Sequence, residues 1–582
     1  MFPLSVLFAS GALLAICGAI AGFTVEEPPG GKRAADALFA QGNFGEAYNA
    51  YRALATNPGS DATEVEDALK KGVQCLLNLG RPDELDEFLE AAVEARKGDA
   101  RTAVAVAACY LDDVPHAGFV VGGDFSRGRQ RRSDGRYVSA ADRDRVRALQ
   151  LLTQSLDAAK ADPDRARAGR YFQTLARAIA WSRISGETWR FQSLTALDAL
   201  PDLDESQPPI WGRSGVWGGG QAGAPVNADG TPVYYSVPES FEKAANDGER
   251  WRWALVQAAE ADAGLLNETR LTFASFLLSE FGVQTLQGPV QPFWGEPGEE
   301  DQGAGDATSI YALETLRDEE TIARLASGVK RFDLPDEFNP IKIFQAIVAD
   351  PKSGRAQEAT DALANLFENR RQFVRAAEYW KQAREKYGDP QGGYKARIDQ
   401  IEAPWGRFET NVSQPAGRGA TLDFTFRNGR KVRFEAHRLL VDRLLKDVKD
   451  YLRGRPGRIE WDRIDVNEIG SRIVAGNVAQ YQGESVAKWE LDLEPAEKHF
   501  NRRLPVTTPL QQAGAYLVTA QLEGGNVSRI VVWLDDTALV RKPLRDASFY
   551  FAADSRTGAP VAGARLDLFG WRTRQVDGGN RF

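Results

Sequence analysis

Residues 421–436 read TLDFTFRNGRKVRFEA, and this stretch decides the fold of the C-terminal part of the chain. Apolar and polar side chains alternate over Thr421–Arg427 and again over Lys431–Ala436, with the period of two that is typical of half-buried strands. Asn428-Gly429, between them, is a dipeptide that two-residue hairpin turns favour, because both residues tolerate positive φ. The pattern predicts a β-hairpin and, since helical periodicity stops near Glu402, the start of a β-domain.

The predicted β-domain covers residues 403–534 and contains one helix. A period of 3.6 predicts this helix over Leu439–Leu452. Alternating patterns then predict strands over Val486–Leu493, Gly514–Leu522 and Ser528–Leu534. Short antiparallel strands in this number are typical of an immunoglobulin-like β-sandwich, here with a helical insertion.

The last segment, residues 535–582, predicts the start of a second sandwich. Alternation indicates strands over Ala538–Lys542, Ser548–Ala553 and Ala564–Trp571, with a turn at Asp554–Gly558. Three strands cannot close a sandwich, so one apolar face would stay in contact with water. We therefore expect the sequence to be the N-terminal portion of a longer protein, or this tail to pack on another domain.

The part upstream of the β-domain is predicted to be helical. Two stretches share small and aromatic residues at the offsets of tetratricopeptide repeats. In the first stretch these residues are Leu38, Gly42, Phe44, Ala47, Tyr48 and Tyr51. In the second they are Phe367, Phe373, Ala376, Tyr379, Trp380 and Ala383. The spacing predicts tetratricopeptide-like repeats over residues 34–200 and 241–402, with ordinary amphipathic helical hairpins as the alternative.

Two segments rich in glycine interrupt the predicted helices. Residues 201–240 contain Trp211 and Trp217, and we expect a long capping loop there, with an aromatic ligand platform as the alternative. His116–Val138 is predicted to be a second loop. It carries the basic residues Arg127, Arg129, Arg131, Arg132 and Arg136. Because no aromatic series interleaves with these arginines, we expect solvated charges rather than an RNA-binding site.

The N-terminus predicts export. Residues 1–22 are apolar and end close to Ala19-Ile20-Ala21, a small-x-small pattern that signal peptidases accept. The run is also long enough to remain as a membrane anchor. We expect a signal peptide or anchor here, and a protein in the periplasm or cell envelope that contacts a membrane only through this segment.

Composition excludes several classes of function. The 582 residues carry 72 Lys and Arg against 81 Asp and Glu, a formal charge of -9, which disfavours a nucleic-acid partner. After Cys17, only Cys75 and Cys109 remain, so we expect buried thiols, with a single disulfide as the alternative. The three histidines, at positions 116, 437 and 499, are far apart in the sequence, which disfavours a metal cluster.

No motif for catalysis or cofactor binding stands out. The sequence contains no G-x-x-x-x-G-K-[ST], G-x-S-x-G, H-E-x-x-H or C-x-x-C. Acidic pairs such as Asp112-Asp113 and Asp535-Asp536 are typical of solvated surfaces. We therefore assign no catalytic, cofactor-binding or metal-binding residues and predict no cofactor and no enzymatic activity.

The end of the sequence carries a family resemblance. Residues 513–520, AGAYLVTA, and 529–534, RIVVWL, resemble the end of a macroglobulin-type β-domain. Residues 549–554, FYFAAD, and 558–569, GAPVAGARLDLF, are similar to the start of the MG2 domain of bacterial alpha-2-macroglobulins. The resemblance implies a large exported protein in which helical repeats precede macroglobulin-like β-sandwiches.

The resemblance also implies a function. Alpha-2-macroglobulins are non-enzymatic endopeptidase inhibitors that trap a proteinase after it cleaves a bait segment, and some bind it through a Cys-Gly-Glu-Gln thioester. No cysteine of this sequence precedes Gly-Glu-Gln, so we expect an N-terminal scaffold portion with proteinases as partners. The alternative is an envelope adaptor whose helical repeats bind a protein or peptide. A weaker alternative is carbohydrate binding through Trp211 and Trp217.

Overall fold

The computed structural model describes most of the chain in two compact units, Met1–Thr269 and Arg270–Phe582. The described residues are 31–128, 135–181, 188–203, 223–283, 309–310, 312–409, 413–454, 460, 479–570, 572, 574–576 and 579–581. The predicted signal segment, Trp211 and Trp217 lie outside them. Among these residues, none of the helices combines the length and the apolar character that crossing a lipid bilayer requires.

The first unit is built mainly of helices. Its helices are α1 (Gly31–Ala40), α2 (Phe44–Thr56), α3 (Ala62–Asn78), α4 (Leu85–Ala95), α5 (Ala100–Ala108), α6 (Ala141–Gln154), α7 (Leu156–Lys160), α8 (Arg165–Ala180), α9 (Asp247–Ala261) and the start of α10 (Leu266–Phe281). Asp61, Asp99 and Asp164 cap α3, α5 and α8 by accepting backbone N–H bonds. Ala47 and Tyr51, predicted repeat residues, are fully buried. The tetratricopeptide assignment itself stays a prediction.

A small sheet replaces the predicted loop at His116–Val138, and that prediction was wrong. The sheet consists of β1 (Ala117–Val121), β2 (Asp124–Arg127) and β3 (Arg136–Ser139), in the order β2-β1-β3. Gly122 and Gly123 form the turn with positive φ. Gly118 lets β2 approach, since a Cβ there would lie 2.2 Å from the carbonyl oxygen of Ser126.

After the end of α10, the described part of the second unit continues with a hairpin and four further helices. The hairpin pairs β4 (Glu320–Leu325) with β5 (Gly328–Asp333). The helices are α11 (Pro340–Ala349), α12 (Ala356–Asn369), α13 (Phe373–Tyr387) and α14 (Gly393–Glu402). Their shared core contains the predicted repeat residues Phe367, Ala376 and Trp380. The helical prediction for this region is confirmed except for the hairpin, which it missed.

Between residues 405 and 535, the described residues form eight strands in a sandwich of two sheets. They are β6 (Trp405–Phe408), β7 (Gln414–Pro415), β8 (Thr421–Arg427), β9 (Lys431–Leu439), β10 (Gln482–Asp492), β11 (Arg502–Thr507), β12 (Gly514–Leu522) and β13 (Val527–Asp535). In the described part of the chain, one sheet has the order β10-β9-β12-β13-β7 and the other β11-β8-β6. The sandwich prediction is confirmed.

The Asn428-Gly429 turn does not form the predicted hairpin. Strands β8 and β9 exist as predicted, but they belong to different sheets and do not pair. Phe424 of β8 and Phe434 of β9 face each other across the core, with ring centroids 5.8 Å apart. Both alternating patterns are satisfied by this arrangement, because each strand turns its apolar face inward from its own sheet.

The predicted helical insertion is α15 (Val441–Arg453), which packs on the outer face of the five-stranded sheet. Leu444 of α15 contacts a cluster that includes Leu517 and Val531, whereas Val518 and Val532 point into the sandwich core. This opposite orientation of neighbouring residues is the period of two in a strand. The helix therefore covers an apolar surface that would otherwise face water.

Among its described residues, the tail forms two separate pairs of strands rather than one group of three; we call the first pair the tail hairpin. β14 (Thr537–Pro543) pairs with β15 (Ser548–Asp554), and β16 (Arg574–Val576) pairs with β17 (Gly579–Arg581). The predicted turn after β15 is present, since Oδ1 of Asp554 accepts bonds from the N–H groups of Arg556 and Thr557. No strand forms over residues 564–570, so that prediction was wrong.

Candidate interaction surface

A buried polar cluster in the first unit holds the small sheet against two helices. Arg127 of β2 donates to both carboxylate oxygens of Asp144 on α6, at 2.6 and 2.9 Å, and to Asp86 on α4 at 2.7 Å. Arg127 is only 6% exposed, so our prediction of a solvated side chain was wrong for this residue. Burial lowers its pKa, but the bonds to Asp144 and Asp86 outweigh burial and raise it overall. Arg136 is exposed, and Arg129, Arg131 and Arg132 lie outside the described residues.

His116 belongs to the same cluster, where its contacts are structural. Its Nδ1 lies 2.8 Å from Oδ2 of Asp144, and its Nε2 lies 3.2 Å from the carbonyl oxygen of Leu111. The ring also meets the ring of Trp181, with centroids 4.8 Å apart. A catalytic base must present a free nitrogen to its substrate. Both nitrogens of His116 face protein acceptors, so this His–Asp pair resembles a catalytic dyad only in composition.

The cysteines and the other histidines do not come together. Cys75 and Cys109 are free and buried, and burial raises the pKa of Cys75 to about 11. Burial also raises the pKa of Cys109, so both thiols are poor nucleophiles near neutrality. His437 lies beside Glu435, and His499 beside Asn428. Within the part of the chain that the structure describes, no three His, Cys, Asp or Glu side chains are grouped to hold a metal ion.

The tail hairpin presents an apolar surface to solvent. The cross-strand pairs Val540–Phe551 and Lys542–Phe549 lie on one side of it. We call Val540, Phe549 and Phe551 the open face; they are 57%, 55% and 39% exposed, respectively. Large apolar side chains grouped in this way are typical of interaction surfaces.

The hairpin is attached to the sandwich at its base. The N–H of Ser555 donates to the carbonyl oxygen of Asp536 at 2.9 Å, and the Ser555 hydroxyl donates to that of Asp535 at 2.6 Å. At the other end of the hairpin, Arg541 and Arg545 flank the turn as exposed cations. A two-stranded hairpin alone is marginally stable in water. A partner that covered the open face would therefore stabilise the hairpin.

We expect the open face to bind a hydrophobic dye. The double variant Phe549→Ser, Phe551→Ser should bind less 8-anilinonaphthalene-1-sulfonate than the unmodified chain, because this dye reports exposed apolar surface. Fluorescence titration at equal protein concentration measures the change. The control is Val527→Ser, a similarly exposed single position on β13. Equal dye binding by the double variant and the unmodified chain would show that the open face is not an accessible apolar surface.

Comparison with known proteins gives partial structural likenesses. No family model and no curated protein sequence matches the chain. The chain is similar to native alpha-2-macroglobulin from Escherichia coli spanning domains MG0-NIE-MG1, with 18% identity over 27% of this chain and 48% of that chain, at a TM-score of 0.20. It is also similar to the same protein spanning NIE-MG1, with 16% identity over 31% of this chain and 96% of that chain, at a TM-score of 0.20. The chain thus covers about half of the first structure.

Proposed function

We propose that the chain supplies the N-terminal scaffold portion of a macroglobulin-like endopeptidase inhibitor that is exported to the periplasm or cell envelope. On this proposal it performs no catalysis. The observation that carries it is the open face: Phe549 and Phe551 lie in the segment that resembles the start of an MG2 domain, and their rings are exposed on the tail hairpin.

The order of the elements in the second unit also supports the proposal. A sandwich over residues 405–535 leads through Asp536 directly into the tail hairpin, so two β-modules follow each other without a linker. Helices α11–α14 precede them. This order matches the one that the sequence resemblance implies, with helical segments ahead of consecutive β-domains.

The role of this chain in such an inhibitor would be mechanical. Both described cysteines are buried, and neither precedes Gly-Glu-Gln, so covalent capture of a proteinase is not assigned to them. Packed sandwiches are rigid bodies, because their interiors are close-packed. We therefore assign the chain the tasks of spacing and docking, with the open face as a docking surface.

The test is a proteinase protection assay with the complete natural gene product. After incubation with that product, an endopeptidase should lose activity on a large protein substrate and keep it on a small peptide substrate, since a trap excludes by size. The variant Phe549→Ser, Phe551→Ser should protect less than the Val527→Ser control. Equal loss on both substrates would indicate an ordinary active-site inhibitor, and no loss on either would contradict the proposal.

The second candidate is an envelope adaptor, favoured by the helical hairpins of both units. In that case, cross-linking in the envelope fraction should recover one partner bound to residues 31–128 or 312–402. Protection assays would then show no effect on either substrate. The two proposals thus predict opposite outcomes in the same pair of experiments.

A further inference from the structure

Strand β10 forms one edge of the five-stranded sheet. It pairs with β9 on one side, and among the described residues no strand pairs with its other side. It is 11 residues long and contains no proline. The outer strand of the facing sheet, β11, carries Pro505, which has no N–H to donate. An unpaired edge of the length of β10 can accept a further strand through its main chain.

The register with β9 fixes which residues of β10 point their main chain outward. The N–H of Leu493 donates to the carbonyl oxygen of Arg430 at 2.7 Å, and the ladder continues without a shift back to residue 487. Residues of an antiparallel ladder alternate between bonding to the neighbouring strand and pointing away from it. The main-chain groups that point away from β9 are therefore those of Lys488, Glu490 and Asp492.

The side chains at this edge form rows of opposite charges on the outer face of the sheet. Lys488 lies opposite Glu435 of β9, with Nζ and Oε1 3.0 Å apart. Glu490 lies opposite Arg433, with Nε and Oε2 3.7 Å apart. The side chains of Lys488 and Glu490 are both more than half exposed. Each of them is therefore accessible to a further charge beyond the edge.

The edge is complementary to itself. If a second copy adds antiparallel about a two-fold axis at Trp489, residues equally far before and after Trp489 face each other. Lys488 then faces Glu490 of the second copy, and Glu490 faces its Lys488. Both residues point their main chain outward, so each pair can exchange both of its N–H to carbonyl bonds. The charges of Arg433, Glu490 and the second copy's Lys488 and Glu435 then alternate in sign across four strands.

The same charges disfavour the neighbouring registers. Outward main-chain groups meet only when the register shifts by an even number of residues. A shift of two places Lys488 opposite Lys488 in one direction and Glu490 opposite Glu490 in the other. Like charges directly opposite each other are destabilising. Charges on edge strands usually prevent pairing, whereas the order of charges on β10 permits one register with its own copy.

The inner face of β10 also suits this pairing. Ala487, Trp489 and Leu491 are partly buried against the sandwich core, and Trp489 stacks on Phe434 with ring centroids 5.1 Å apart. In the symmetric register, Trp489 lies beside Trp489 of the second copy, and Ala487 beside its Leu491. These are non-hydrogen-bonded positions, at which side chains of neighbouring strands come closest. Pairing would thus remove further apolar surface from water.

We propose that β10 is a dimerisation edge, at which two copies of this chain join antiparallel about Trp489 and form one continuous sheet. The carrying observation is the two-fold match of Lys488 with Glu490 at residues whose main chain points outward. The inference goes beyond the proposed inhibitor function and does not depend on it.

The test is sedimentation velocity of the complete chain over a range of concentrations, in a non-ionic detergent that keeps the apolar residues 1–22 in solution. The unmodified chain should show a dimer fraction that rises with concentration. Lys488→Glu and Glu490→Lys each place like charges opposite each other twice, so each should raise the dissociation constant about tenfold or more. The control is Arg529→Glu, an exposed charge reversal on β13 of the same sheet, which should leave the constant unchanged.

Mixing the two charge variants identifies the surface. In a mixed dimer, two acidic side chains of one chain face two lysines of the other, so an equimolar mixture should dimerise with an affinity close to that of the unmodified chain. Substitutions at exposed positions rarely prevent folding, and a misfolded variant would not be rescued by mixing.

Three results would overturn the proposal. The first is a monomer at every concentration, which would leave this edge to a different protein. The second is a mixture that dimerises no better than the single variants do. The third is a dimer that tolerates both charge variants but is lost in Phe549→Ser, Phe551→Ser, which would place the interface at the open face.

Discussion

Replacing Asp144 with Asn is expected to lower the free energy of unfolding of the first unit by about 3–5 kcal/mol, the usual cost of removing one partner from a buried ion pair. The carboxylate of Asp144 accepts two bonds from Arg127, which is itself buried. It also accepts from Nδ1 of His116. The amide keeps the shape of the carboxylate but leaves Arg127 with Asp86 as its only charged partner in the cluster. Urea unfolding followed by hydrogen exchange of the α6 amides measures the loss.

The matched control for this substitution is Asp157→Asn on α7. The side chain of Asp157 is fully exposed, and its nearest cation, Lys160, lies 3.9 Å away. Surface substitutions of this kind change stability by less than about 0.5 kcal/mol. Similar effects of the two substitutions would mean that the Arg127–Asp144 pair contributes no more than a surface charge does.

Replacing Phe424 with Ala is expected to cost the second unit about 3–5 kcal/mol, because it removes a buried ring and leaves a cavity. Phe424 is fully buried between the two sheets, with the ring of Phe408 5.4 Å away. It also lies directly over Gly406, where a Cβ would come within 2.5 Å of the Phe424 ring. The neighbouring strands are fixed by their sheets, so the cavity cannot collapse. Exchange protection of β8 and β12 in urea reports the change.

Phe549→Ala on the open face is the control with the same chemistry. More than half of the Phe549 surface is exposed, so removing its ring should cost less than about 1 kcal/mol. The two variants compare the free energy of unfolding that is lost when a ring is removed from the sandwich core with the loss when a ring is removed from the open face. A cost for Phe549→Ala as large as that for Phe424→Ala would mean that the open face is packed in solution.

The sequence predicts which residues of the sandwich face inward, but not which strands pair. Thr421–Arg427 was located with its observed bounds, and Lys431–Ala436 lies within the longer β9. Alternation reports one apolar face per strand, and that face is buried equally well by a neighbour in the same sheet or by a strand of the opposite sheet. The choice depends on long-range contacts, including those of Asn428 with α14. The alternation of apolar and polar residues does not indicate such long-range contacts.

For the candidate surfaces too, the sequence predicts what depends on local patterns and misses what depends on long-range contacts. The two strands that carry the open face were predictable, since the sequence alternates over residues 538–542 and 548–553. The environment of Arg127 was not, because a cluster of arginines gives no sign that one of them meets Asp86 and Asp144 from other helices. The contact between His499 and Asn428 was missed for a related reason. His499 looks isolated in the sequence, and only folding brings it to Asn428.

The capping of α14 by the turn between β8 and β9 bears on how such a protein can be assembled from parts during evolution. A recombination breakpoint where helices give way to strands, near Glu402, would separate the Gln400 and Ile401 carbonyls from Arg427 and Asn428. Both fragments would inherit half-buried polar groups without these partners. Recombination between related genes is therefore tolerated better when the exchanged segment includes α13, α14 and the sandwich. The segment that is inherited intact then contains both helices and strands.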